Sequence, residues 1–190
     1  RRIIANEKRE STIADAFRGI IRNPATADDY SSMLNRAGFY DDSSYTVISL
    51  SILRKSISIT ESVVRTTDMS LWRMLKKSGN HSSLFMKEGD LVAVRQNCSE
   101  EEIVMFCELL RPIAEQSADT EIYIGVSESV RGFAEISQAY EQSYAAMLTG
   151  RIKGKEHVFY RDIGLMKLIF GVKDKMILSS FAEENLGVLH

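Results

Sequence analysis

The last third of this chain changes its hydrophobic period from two to helical and back to two, and few folds accept that order. Glu121-Ile122-Tyr123-Ile124-Gly125-Val126-Ser127 has the alternation of a strand. Phe133, Ile136, Tyr140, Tyr144 and Met147 then share one helical face, with Ala139, Ala145 and Ala146 beside them, in a helix that ends near Thr149-Gly150-Arg151. Val158-Phe159-Tyr160 returns to a short strand, and Asp162 is placed to cap a helix through Leu165, Leu168 and Ile169. An aromatic stripe at helical spacing reads as core packing rather than as a platform for a cofactor.

The same alternation organises the rest of the chain. Ile13, Phe17, Ile20 and Ile21 give residues 1–22 an amphipathic helical pattern behind a charged front, and Asn23-Pro24 breaks it. Thr26, Asp28 and Asp29 open a second short helix ending at Ala37-Gly38. Tyr45 to Ile52 alternates as the first strand of a sheet, and Thr60 caps an expected helix to Ser78. Ser83-Leu84-Phe85-Met86 and Leu91-Val92-Ala93-Val94 flank Lys87-Glu88-Gly89-Asp90, the pattern of a β-hairpin with glycine in its turn. Ser99 and Glu102 form a capping box for a helix through Ile103, Phe106, Leu109 and Leu110, which Pro112 is expected to kink or interrupt. A last helix is expected from about Asp174 to Glu184. The order strand, helix, hairpin, helix, strand, helix, strand predicts an α+β, ferredoxin-like sheet with helices mainly on one face.

Charge and cysteine usage narrow the function classes. With 24 basic and 26 acidic residues in 190, the chain lacks the basic excess that neutralises many phosphates, so DNA binding by this segment is not expected. No apolar run approaches the roughly 18 to 20 residues that span a bilayer, and a cytoplasmic protein without membrane contact is expected. Cys98 and Cys107 are too far apart for a Cys-x-x-Cys motif and read as free thiols, Cys107 as a small core residue. His81, His157 and His190 are scattered singly and propose no zinc site. The chain opens on Arg1-Arg2 without an initiator Met, as expected of a piece of a longer protein.

Ile124-Gly125-Val126-Ser127, Ala139-Tyr140-Glu141-Gln142-Ser143 with Ala145-Ala146, Phe159-Tyr160-Arg161-Asp162-Ile163-Gly164-Leu165 and Leu186-Gly187, in this order, resemble the central, degenerate GGDEF-like domain of PucR/CdaR bacterial transcription regulators. The resemblance is strongest from Ile122 to Leu186 and extends back to Tyr45. It implies a nucleotidyl-cyclase-like fold in a module that precedes a C-terminal helix-turn-helix domain absent from this chain. It also implies where catalytic groups would stand. A diguanylate cyclase carries an aspartate at the end of the first strand, where this chain has Ser49-Leu50-Ser51-Ile52-Leu53, and a Gly-Gly-Asp/Glu-Glu-Phe turn, where it has Lys87-Glu88-Gly89-Asp90-Leu91. Serine hydroxyls do not supply the negative charge that a divalent metal needs. No catalytic, cofactor-binding or metal-binding residue is therefore assigned, no cofactor is expected, and Lys87 to Asp90 read as a solvated turn.

The expected division is a helical segment or linker at 1–40, a GGDEF-like domain at 41–162, and helices at 163–190 leading toward the absent DNA-binding domain. Two functions follow from the resemblance: a signal-relay or dimerisation module, and a sensor for an unidentified small-molecule or nucleotide effector. A homodimer is expected, with DNA reached only through the absent domain. The helix carrying Ile13, Phe17 and Ile20 and the terminal helix carrying Ile177, Leu178 and Phe181 are the candidate contact elements, the alternative being that their apolar faces, that of Phe17 first, pack on their own domain.

Overall fold

The computed structural model describes residues 2–54, 82–115 and 120–171. Helix α1 (Arg2–Arg22) is followed by a 3-10 turn (Pro24–Thr26) and α2 (Ala27–Ala37), then strand β1 (Ser44–Arg54) and the hairpin β2 (Ser82–Lys87) and β3 (Asp90–Gln96). Helix α3 (Glu100–Glu115), strands β4 (Thr120–Val126) and β5 (Val130–Arg131), helix α4 (Ile136–Lys153), strand β6 (His157–Phe159) and the short helix α5 (Met166–Gly171) complete the described chain. The expected helix from Thr60 to Ser78 and the one from Asp174 to Glu184 lie outside the described residues, as do Ile177, Leu178 and Phe181.

The sheet runs β2-β3-β1-β4-β6, with β5 paired to the start of β1. Its strand pairs are antiparallel except β4 with β6, which are parallel, as a crossover through α4 requires. The α+β class and the mostly antiparallel sheet match the sequence reading. Both alternating rows of β1 are buried, however, so both faces of the sheet need cover. Tyr45 and Val47 face a core shared with α1, α2 and α4, while Ile48 and Leu50 face Ile103, Phe106 and Cys107 of α3. Helices on one face would leave the Ile48, Leu91 and Ile124 row in water; α3 on the other face removes that cost.

Several local expectations are realised by named bonds. Asn23 caps the 3-10 turn by accepting from the Ala25 amide at 3.2 Å. The capping box of α3 is closed on both sides: the Glu102 amide donates to Ser99 Oγ at 3.2 Å and the Ser99 amide to Glu102 Oε2 at 2.8 Å. Other expectations are corrected. Pro112 does not interrupt α3, which continues to Glu115, because a proline in the last turn removes one bond near an end that is already open. Phe133 precedes α4 rather than lying on it, its amide donating to Asp41 Oδ1 at 2.7 Å.

At the end of the described chain Asp162 belongs to a 3-10 turn (Tyr160–Asp162) and does not cap α5, which starts four residues later at Met166. The side chains that pack against α4 are Ile163, Met166 and Phe170. Leu165, Leu168 and Ile169, expected on the apolar face, are exposed instead.

The helix α1 carries Ile13, Phe17 and Ile20, candidates either for contact with a second copy or for packing on their own domain, and all three are buried within their own chain. The Phe17 ring meets Phe39 edge-on at 5.1 Å between centroids and approaches Tyr45 at 6.5 Å. Ile13, Phe17 and Ile20 fill the α4 side of the sheet, so these three side chains are not open to a partner. Among the described residues no helix is long and apolar enough to cross a membrane.

Candidate functional site

The C-terminal half of β1 and the β2–β3 turn are the places where a cyclase would hold its metal and nucleotide. Ser49 points to the α4 side and is closed to solvent. Its Oγ lies 2.7 Å from Ser143 Oγ of α4, and Ser143 Oγ donates to the Tyr140 carbonyl at 2.9 Å. A hydroxyl carries one proton, so Ser49 is the donor in the serine pair and the chain of bonds runs Ser49 to Ser143 to Tyr140.

What brings α4 so close is Gly125, the β4 residue paired with Ser49. A Cβ built there would lie 2.0 Å from the Ser143 carbonyl oxygen and 2.2 Å from the Met147 amide nitrogen. The helix backbone therefore rests on the glycine, and the small side chains of Ser49 and Ser143 fit the narrow gap. Ser51, the next residue on this side of β1, is also buried. Helix packing therefore fills the space above this stretch of β1.

At the turn, Glu88 and Gly89 both have positive φ, 55° and 92°, and Lys87 pairs with Asp90 across a two-residue loop. This is the backbone of a primed turn, which matches strand twist. Glycine adopts its φ freely, whereas Glu88 is held at a value that costs most side chains some strain. The turn is not simply solvated as expected: Lys87 Nζ lies 2.5 Å from Glu88 Oε1 and 4.8 Å from the centroid of the Tyr140 ring. Burial of Lys87 opposes its charge, but the bonded Glu88 carboxylate and the Tyr140 oxygen hold its pKa above the ordinary lysine value. Glu88 is held below the ordinary carboxylate range by the same bond. The Tyr140 hydroxyl is pushed up by burial, against Lys87, and its ring stacks on Tyr144 at 6.0 Å.

Phe133, Ile136 and Tyr140 are buried in the α4-side core and Tyr144 packs against it half-buried, so this stripe is part of the core. Cys107 is buried on the opposite side, where loss of solvent pushes its thiol up to about 12 against the opposing pull of Arg95. Among the described residues no group of three or more His, Cys, Asp and Glu side chains is gathered as a metal site. A buried feature that periodicity did not reveal is Arg95 on β3, covered on one side by the Phe106 ring of α3.

No curated protein matches the chain. A solved structure, the regulator of polyketide synthase expression from Bifidobacterium adolescentis, superposes with a TM-score of 0.49 at 18% identity, over 72% of this chain and 52% of that one. This chain thus spans about half the length of that protein. The family model for the GGDEF-like domain matches residues 22–147, a stretch that holds β1 with Ser49 and Ser51, the primed turn, Gly125 and the Ser143 contact. By that match over more than half its length, this chain belongs to the GGDEF-like domain family.

Proposed function

We propose that this chain is a non-catalytic regulatory module of a bacterial transcription regulator of the PucR/CdaR type, which relays a signal or mediates dimerisation for a helix-turn-helix domain. The observation that carries this reading is Ser49, buried against Ser143 in the Ser49-Leu50-Ser51-Ile52-Leu53 stretch that the resemblance sets against the metal-binding aspartate of a cyclase. Joining two nucleoside triphosphates requires divalent metal to neutralise phosphate charge and align the attacking hydroxyl. A neutral hydroxyl locked under a helix supplies neither charge nor access.

Membership of the GGDEF-like family is consistent with this role, and the sequence resemblance supplies the regulator context. Within it, residues 41–162 are the cyclase-like body, residues 163–190 lead toward the DNA-binding domain, and the 1–40 segment enters from the other side. The packing of Phe17 on Tyr45 ties that entering segment to the body, which suits a relay in which movement of one is felt by the other. Sensing at the cyclase edge is less well supported, because its cation, Lys87, is already bonded to Glu88.

The test incubates the chain with GTP and Mg²⁺ or Mn²⁺ and separates the products by chromatography, in parallel with sedimentation at tens of micromolar. No cyclic dinucleotide and a concentration-dependent dimer are expected. Protein-dependent product formation overturns the non-catalytic reading, and a folded chain that stays monomeric removes the dimerisation role.

A further inference from the structure

On the α3 face of the sheet, one rung across β2, β3 and β1 is polar: Ser82 stands opposite Arg95, and Arg95 opposite Thr46. The next rung on that face, Leu84, Ala93 and Ile48, is apolar and buried. Arg95 is only 2% exposed, with its guanidinium 4.9 Å from the centroid of the Phe106 ring. Among the described residues, Arg95 Nε and Ser82 Oγ are buried without a hydrogen-bond partner, and no carboxylate forms an ion pair with Arg95.

A guanidinium keeps its proton at any ordinary pH, so burial cannot neutralise it as it does a lysine or a carboxyl group. Leaving its donors unpaired away from water is costly. Phe106 satisfies one flat face of the group, but the edge bearing Nε–H is not served by a ring. That edge is the fork that fits two oxygens of a carboxylate or phosphate, and Ser82 adds a neutral donor from the neighbouring strand. Ser82 opens β2, the edge strand of the sheet, so the rung reaches the sheet's border rather than its centre.

We propose that the Ser82–Arg95 rung binds a small oxyanion, a phosphate or a carboxylate, with the Arg95 edge and the Ser82 hydroxyl as donors and Phe106 as floor. The site lies on the face opposite the Ser49–Ser143 contact and gives the module an effector position away from the cyclase edge. The relay reading does not depend on it, and the GTP assay and sedimentation above are blind to it.

The test titrates the ¹⁵N-labelled chain with inorganic phosphate and, separately, with acetate at constant ionic strength, following arginine Nε–H correlations. The Arg95 resonance is identified by its loss in Arg95→Lys, which keeps a charge but has no Nε–H. Saturable movement of that resonance is expected with at least one anion, and the anion acting at lower concentration identifies the chemistry as phosphate or carboxylate. The thermal midpoint of the wild type should rise with the same anion. Ser82→Ala should weaken the apparent affinity roughly threefold to tenfold, the effect of one hydrogen bond, and Arg95→Met should abolish the response. A resonance unmoved by both anions at tens of millimolar overturns the proposal, as does a thermal response that is equal in wild type and Arg95→Met. Should Arg95→Met not fold, Ser82→Ala decides: unchanged affinity overturns the site as drawn.

Discussion

Ser49 on β1 and Ser143 on α4, 94 residues apart in sequence, bring their hydroxyls to 2.7 Å in a space closed to solvent. The contact exists because Gly125 lets the α4 backbone settle on the sheet, and it makes this part of β1 a packing joint. Ser49→Ala should cost about 1 kcal/mol, and a double-mutant cycle with Ser143→Ala should give a coupling of similar size. Ser49→Asp, which puts a carboxylate into that closed space, should instead cost about 3 kcal/mol or more by burying an unpaired charge. Denaturant midpoints measure all three, and an aspartate variant as stable as wild type would show that the joint opens freely.

Gly125→Ala should be among the most damaging single changes in the sheet. Its Cβ has no room beside the Ser143 carbonyl, so α4 must shift as a unit, at about 3 kcal/mol. Gly89→Ala in the primed turn meets no atom within 4 Å and suffers only from its positive φ, about 1 kcal/mol. Thermal unfolding of the two variants side by side should keep that order.

The double variant Ile13→Asp and Phe17→Asp is expected to unfold the chain or detach α1, not to release a folded monomer. Phe17→Ala alone should cost about 3 to 5 kcal/mol, because the ring is fully buried against Phe39 and Tyr45. Circular dichroism recorded alongside sedimentation separates the outcomes; a folded, monomeric double variant would return α1 to the list of contact surfaces.

Stability should fall on the alkaline side in two overlapping steps. Burial raises the Cys107 thiol from 9.0 to about 12 and also pushes the Tyr45 hydroxyl well above its ordinary 10.0. A group whose folded pKa is raised binds its proton more tightly when folded, so its contribution is complete below the unfolded pKa and is lost as pH rises toward the folded one. Unfolding free energy should decline from about pH 9 upward, and Cys107→Ala should flatten the earlier part. An unchanged alkaline slope in that variant would mean the thiol is more accessible than its packing indicates.

On the acid side, Glu100 is held below its ordinary pKa chiefly by its hydrogen bond to Arg161, which ties the start of α3 to the turn after β6. A lowered pKa gives stability present above the unfolded value and lost as pH falls. Both side chains are exposed, so the effect should be small and salt-sensitive. Glu100→Gln should remove the part of the acid slope that disappears in high salt, which paired titrations at low and high salt will show.

Periodicity and capping chemistry determined β1, the hairpin and helices α2 and α3, because these depend on residues close in sequence. Ser99 and Glu102 meet within one helical turn, and Glu88-Gly89 supplies its own backbone bias. The absence of a first-strand carboxylate was legible in the same way, as Ser49-Leu50-Ser51. Which faces those elements bury was decided only by the tertiary structure. The stripe of Ile13, Phe17 and Ile20 has the same pattern whether it meets its own sheet or a second copy, and the aromatic partners Phe39 and Tyr45 settle the choice from elsewhere in the chain. Leu165 and Leu168 have the apolar character of core residues yet face outward, because Ile163, Met166 and Phe170 reach α4 first. Arg95 reads in sequence as an ordinary strand cation, and only the joint cover of α3 and the sheet turns it into a buried charge with an open donor edge. Burial is a property of what lies across the contact, and no local pattern carries that information.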